Sequence, residues 1–87
     1  MGNIDEIKKA LFDGKAVIGT KKILNNLKSG KLETIYLSLN CPESVKKDIQ
    51  YYSKLNETKI IQLKVPNDEL GVLCKKTFSI SILGVAR

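Results

Sequence analysis

Apolar positions along this chain alternate between a helical and a strand-like spacing. Ile4, Ile7 and Leu11 fall three and four residues apart, as on one face of a helix, and Asn3 with Glu6 reads as a capping box that opens it. Asp13-Gly14 stops that helix, and Ala16-Val17-Ile18 is an apolar run long enough for a brief buried strand. Gly19-Thr20 then breaks the strand and supplies an N-cap for a second helix, whose face is Ile23, Leu24 and Leu27 and whose end is Ser29-Gly30. Thr34 to Leu39 is β-rich and nearly continuous, which predicts a central strand covered on both faces.

The second half repeats the alternation. Asn40-Cys41-Pro42 turns the chain into a third helix with Pro42 at its first position, a buried stripe of Val45, Ile49 and Tyr52, Tyr51 and Leu55 beside it, and Asn56 at its close. Lys59 to Leu63 is the third strand candidate. Pro66-Asn67-Asp68 has the chemistry to start a short helix through Leu70 and Leu73. Phe78 to Ile82 alternates apolar with small polar residues and predicts a half-buried last strand. The order αβαβαβαβ implies an α/β fold, a three-layer α/β/α sandwich around a four-stranded mixed sheet. With 87 residues there is room for one domain, residues 1–87, and its core is modest.

Charge changes the picture from fold to partner. Fifteen Lys and Arg stand against nine Asp and Glu, a net charge of +6. A field of that sign favours polyanions such as RNA, DNA or an anionic membrane, although a merely soluble basic surface fits charge alone equally well. Arg87 is the sole arginine, so base readout by guanidinium forks is not expected, whereas lysines serve as point charges against phosphate. Cys41 and Cys74 have no His or Cys beside them, which argues against a zinc site and for small hydrophobes in a reduced, cytoplasmic protein. No apolar run approaches membrane-spanning length.

Catalysis is hard to build from these residues. There is no histidine, which removes the usual general base at neutral pH and every Ser-His or Cys-His pairing. Gly19-Thr20-Lys21-Lys22 lacks the further glycines of a nucleotide-binding loop, and Asp5-Glu6 and Asp68-Glu69 read as acids complementing helix dipoles. No enzyme, cofactor, metal or small-molecule substrate is expected.

Three junctions carry more. Lys21 and Lys22 sit where a helix N-terminus already presents free N–H groups and positive potential, so two cations there suit an external anion, or are simply solvated. Asn40 ends the second long strand, where its amide caps the third helix or reads a base. Lys75-Lys76-Thr77-Phe78 is a third basic junction, with Phe78 either stacking on an unpaired base or opening the core of the last strand. The first two lie at strand C-terminal ends; the third joins them only if the last strand runs antiparallel.

At these junctions the chain resembles the kink-turn-binding ribosomal protein family, in its branch from the large subunit of archaea and eukaryotes. The stretches that carry the likeness are Val17-Ile18-Gly19-Thr20-Lys21, Ser29-Gly30-Lys31, Asn40-Cys41-Pro42, Ile49 to Leu55 with its Tyr51-Tyr52-Ser53-Lys54-Leu55, and Glu69-Leu70-Gly71. The resemblance implies a sandwich whose loops grip a sharply bent RNA internal loop, with ribosomal RNA and neighbouring ribosomal proteins as partners and no membrane. It implies RNA contacts from Gly19, Thr20, Lys21, Lys22, Asn40, Lys46, Asp68 and Phe78, with Lys75 and Lys76 in the last loop. The chain departs from the wider family at Lys21-Lys22, where related kink-turn binders carry Asn-Glu, at Lys75, where the family has glycine, and at Ser79, often basic. Alternatives are a kink-turn factor on guide RNA particles and a protein-interaction domain of the same fold.

Overall fold

The computed structural model describes residues 3–87, with side chains from Asp5 onward. Its elements are α1 (Asn3–Phe12), β1 (Ala16–Ile18), α2 (Thr20–Lys28), β2 (Leu32–Leu37), α3 (Glu43–Asn56), β3 (Lys59–Gln62), α4 (Asn67–Leu73) and β4 (Ile82–Ala86). The expected alternation and the four-stranded mixed sheet are both present. The capping box at Asn3 and the Ile4 contact lie outside the described side chains. The sheet order is β1-β4-β2-β3, with β4 antiparallel to β1 and β2, and β2 parallel to β3.

Strand alternation divides the core into two layers. Tyr36 and Leu83 join Ile7, Leu63, Leu70, Cys74 and Ile80 beneath α1 and α4. Ile35, Leu37 and Ile82 point the other way, to Ile23, Leu27, Leu32 and Ile49 under α2 and α3. Leu32 lies three residues before Ile35 and by strict alternation would face the opposite layer. A register shift between Leu32 and Thr34 absorbs one residue and returns Leu32 to the α2–α3 side.

Helix α3 buries Ile49 and Ser53, half-buries Val45 and Tyr52, and leaves Tyr51 and Leu55 62% and 64% exposed. Asn56 holds its C-terminus to α2 by donating to the Leu27 and Tyr52 carbonyls at 2.8 and 3.1 Å. Arg87 donates to the carbonyls of Gly30 (3.0 Å) and Asn56 (3.3 Å). The lone guanidinium is thus used inside the fold.

Several boundaries differ from expectation, each for a physical reason. Of the expected Gly19-Thr20 pair it is Gly19 that is the N-cap of α2, with φ 107°, whereas Pro42 precedes α3 as its N-cap instead of opening the helix. Strand β2 ends at Leu37; Leu39 is 61% exposed and its N–H goes to the Val65 carbonyl. The largest displacement is the last strand, expected at Phe78 to Ile82 and found at Ile82–Ala86. Residues 78–81 instead tie α4 to the sheet: Ile80 N–H donates to the Asn67 carbonyl at 3.0 Å, and the Ser81 carbonyl accepts from Ser38 N–H at 2.9 Å. Their backbone is bonded to a helix start and a strand end, so the apolar alternation there marks no ladder.

That tie needs Gly71. A Cβ at this helical position would overlap the Phe78 carbonyl oxygen, a backbone atom that cannot swing aside. Just after α4, Lys75 adopts φ 57° in the left-handed region where glycine is unstrained. Across the same layer the buried Tyr36 hydroxyl donates to Glu6 at 2.5 Å. Burial first, then that hydrogen bond and the charges of Glu6 and Glu33, push the phenol well above the usual tyrosine range.

Two outcomes follow for stability. Gly71→Ala should lower it by about 3 kcal/mol in urea denaturation, because Phe78 must be displaced; a loss under about 0.5 kcal/mol would mean the approach is not tight. For Tyr36, the unfolded phenol ionises near its ordinary 10.0 while the folded one keeps its proton. The folded state therefore binds more protons above about pH 10, and stability, fully present below that, falls as pH rises. Tyr36→Phe should flatten this alkaline decline by up to about 1.4 kcal/mol per pH unit, read from urea midpoints at about pH 9 and about pH 11.

Candidate functional site

The candidate residues are positioned by the ends of three strands. Because β4 runs antiparallel to β1 and β2, its start lies at the same sheet end as their C-termini. The condition for joining the last loop to the first two junctions is therefore met.

The first junction is Gly19 to Lys22. Gly19 turns β1 directly into α2; the left-handed φ gives the sharp reversal without a side-chain clash. No side chain caps the helix, and its first turn holds no acid. Thr20, Lys21 and Lys22 are all exposed, so two ammonium groups stand beside free backbone N–H groups with no carboxylate of that turn to offset them. Facing Gly19 and Thr20 across a notch of about 190 Å³ are Phe78 to Ser81, with Ile18 and Ile82 also lining it. Phe78 is 55% exposed on the rim, which settles its two readings against core.

The second junction differs from expectation in what it caps. Asn40 does not cap α3. Its Oδ1 accepts the Asn67 backbone N–H at 2.8 Å and its Nδ2 donates to Asn67 Oδ1 at 3.1 Å. Ser38 Oγ lies 3.4 Å from the same Oδ1. Asn40 thus fixes the β2–α3 loop against the N-terminus of α4, and Asp68 follows there, exposed, its Oδ1 accepting the Glu69 N–H at 2.8 Å. Sequence reasoning named Asn67 as turn chemistry but missed it as a site residue, since a pairing across 27 positions leaves no local signal. It missed Leu39 too, an exposed apolar side chain beside Asn40.

Lys46 is half-buried in the first turns of α3. Burial pushes the Cys41 thiol up, and the Lys46 charge opposes that, so this ammonium lies close to the loop. Lys75 and Lys76 are exposed but stand apart from the notch. Lys75 lines a separate groove between α1 and α4, and Lys76 is the cation acting on the Cys74 thiol, itself raised by burial. Among the described residues no group of three or more His, Cys, Asp or Glu side chains is placed to hold a metal ion. The arrangement is suited to binding an anion with flat apolar parts, through lysines, exposed amides and one aromatic ring.

Comparison with known proteins bears on the fold and the family. Residues 4–87 match the family described as ribosomal protein L7Ae/L30e/S12e/Gadd45. The chain is 40% identical over 77 residues to large ribosomal subunit protein eL30 of Methanococcus vannielii, covering 88% of this chain and 73% of that one. The eL30 protein of Sulfolobus acidocaldarius is 38% identical over 80 residues, covering 92% and 77%. In structure, a protein of unknown function from Bacillus halodurans superposes with TM-score 0.86 at 14% identity, covering 97% of this chain and 83% of that one. The Giardia lamblia 15.5kD RNA binding protein gives TM-score 0.78 at 10% identity, covering 97% and 70%, a likeness of fold.

The Asn40–Asn67 pair generates a prediction independent of any ligand. Asn40→Ala should cost about 1 kcal/mol, since it removes one acceptor and one donor at an exposed helix start. Hydrogen exchange at the Asn67 amide should accelerate with it, and unchanged protection there would show that the pair does not hold α4.

Proposed function

The chain belongs to the ribosomal protein L7Ae/L30e/S12e/Gadd45 family, and on that premise we propose that it is a large-subunit ribosomal protein of the cytoplasm that binds a kink-turn in ribosomal RNA and holds its bend. It is not an enzyme: its relatives are ribosomal proteins, and it has no histidine for acid–base work. The observation that carries the reading is the convergence of Gly19 to Lys22, Asn40 and Phe78 at one end of the sheet.

In this mechanism Lys21, Lys22 and Lys46 sit against phosphates as point charges, and Lys76 extends the same field along the last loop. Gly19, which has no Cβ, lets the RNA backbone approach the chain closely, and Thr20 beside it offers a backbone N–H and a hydroxyl at the helix start. Phe78 stacks on a base that the kink leaves unpaired. Asn40, already committed to Asn67 on one side, keeps a second amide hydrogen for a base or sugar. Asp68 contributes by position, since its carboxylate already closes the first turn of α4. Such recognition reads shape, and it dispenses with arginine forks, in keeping with Arg87 being bound to carbonyls.

The test is a binding titration against a short kink-turn RNA and a fully paired duplex of equal length, each at two salt concentrations. Tight binding to the kink-turn alone is expected, with Lys21→Ala weakening it and lowering the salt slope by about one unit. Equal, salt-fragile binding to both RNAs would reduce the protein to a basic surface and overturn the reading.

A further inference from the structure

A second surface lies at the sheet end where β1 begins. Here the last turns of α1 and α4 leave a groove of about 400 Å³ lined by Lys8, Leu11, Phe12, Leu73, Cys74 and Lys75. Cys74 is buried, Leu11 and Leu73 are half-buried, and Phe12 closes one side at 90% exposure. An aromatic ring left this far in water, beside an apolar recess, gains nothing for the fold. The charged side chains lining the groove are Lys8 from α1 and Lys75 after α4, with no carboxylate among them.

Lys75 is placed on the groove by the way α4 ends. It occupies the left-handed region at φ 57°, a conformation glycine adopts freely and a lysine only under strain. The turn closes α4, since the Lys75 and Lys76 N–H groups donate to the Val72 and Gly71 carbonyls at 2.9 Å each, and it leaves the Lys75 side chain on the groove.

The lining chemistry also selects the class of occupant. A nucleobase has its own N–H donors, and the two ammonium groups of the groove only donate, so a base seated here would leave buried polar edges unpaired. An aliphatic or aromatic side chain needs no such partners. Carboxylates on either side of it would meet Lys8 and Lys75, and the net charge of +6 draws an acidic chain toward the molecule.

We propose that the α1–α4 groove docks an acidic segment of a partner protein, which seats one large apolar side chain between Phe12 and Leu73 and pairs its carboxylates with Lys8 and Lys75. The segment is extended or helical chain with acids flanking the anchor. Its site is separate from the notch between Gly19 and Phe78, so the two surfaces can be occupied together and can be tested apart.

The experiment is an amide-resolved NMR titration of the intact protein with three probes: a synthetic peptide of aspartates around a central leucine and phenylalanine, the same peptide with lysines for aspartates, and a single-stranded RNA of similar length. The acidic peptide should give saturable shifts at Lys8 to Phe12 and Leu73 to Lys75, at least about tenfold tighter than either control. Phe12→Ser and Lys8→Gln alter exposed side chains, so each should weaken the peptide about tenfold while the melting temperature and kink-turn RNA binding stay unchanged. Lys75→Gly separates a docking role from a structural one: it should raise the melting temperature by about 4 °C as strain is relieved, yet weaken the peptide several-fold. Shifts that are absent, equal for the lysine peptide, stronger for the RNA, or indifferent to Phe12→Ser would overturn the proposal. A Lys75→Gly variant with unaltered peptide affinity would do so as well.

Discussion

Strand β4 lies between β1 and β2 and runs antiparallel to both, and the rest of the molecule is arranged around that insertion. The chain enters β4 at the sheet end where β1 and β2 finish. The segment before it, residues 78–81, is thereby delivered beside Gly19 and Ser38. Were β4 parallel to its neighbours, the same loop would open at the far end and the notch would not form. One orientation thus converts three junctions scattered along the sequence into a continuous edge.

That edge is made rigid by backbone contacts more than by side chains. The Ser38 N–H, the Ile80 N–H and the Asn67 N–H are each satisfied across elements, by the Ser81 carbonyl, the Asn67 carbonyl and the Asn40 amide. Gly71 lets the Phe78 carbonyl settle against α4, so the loop lies flat on the helix. Preorganised loops lose little freedom on binding, and that is what recognition by shape requires. Lys21 and Lys22 stay exposed at the rim, where salt screens whatever attraction they exert.

The molecule also separates its polar tasks. Arg87, the cation best suited to bidentate contacts, ties the C-terminal end to the Gly30 turn and to α3. Lys28 lies 5.1 Å from the Tyr52 ring centroid and helps hold α2 on α3. Lys21 and Lys22 stand at the notch end, and Lys8 and Lys75 line the groove of the α1–α4 layer. A uniform net charge of +6 conceals this division, which becomes visible only in position.

What the sequence by itself determined is the succession of helices and strands and the two-sided burial of β2. Periods of 3.6 and 2 are local properties, and the apolar stripes through Ile23, Leu27 and Ile49 report which faces are covered. It also determined the chemistry on offer: lysine-rich, without histidine, with two lysines following the Gly19-Thr20 turn. Tertiary structure decided where β4 begins, because Phe78 and Ile80 alternate like a strand while the Ile80 N–H is bonded to the start of α4 and the Ser81 carbonyl to the end of β2. It decided that Asn40 holds Asn67 and not its own helix, and that Lys75 belongs to a different groove from Phe78 three residues later. The first two rest on which donor meets which acceptor across a long stretch of chain, and the third on how the helices pack on the sheet. Local pattern carries no record of such pairings, because they exist only once the layers have packed.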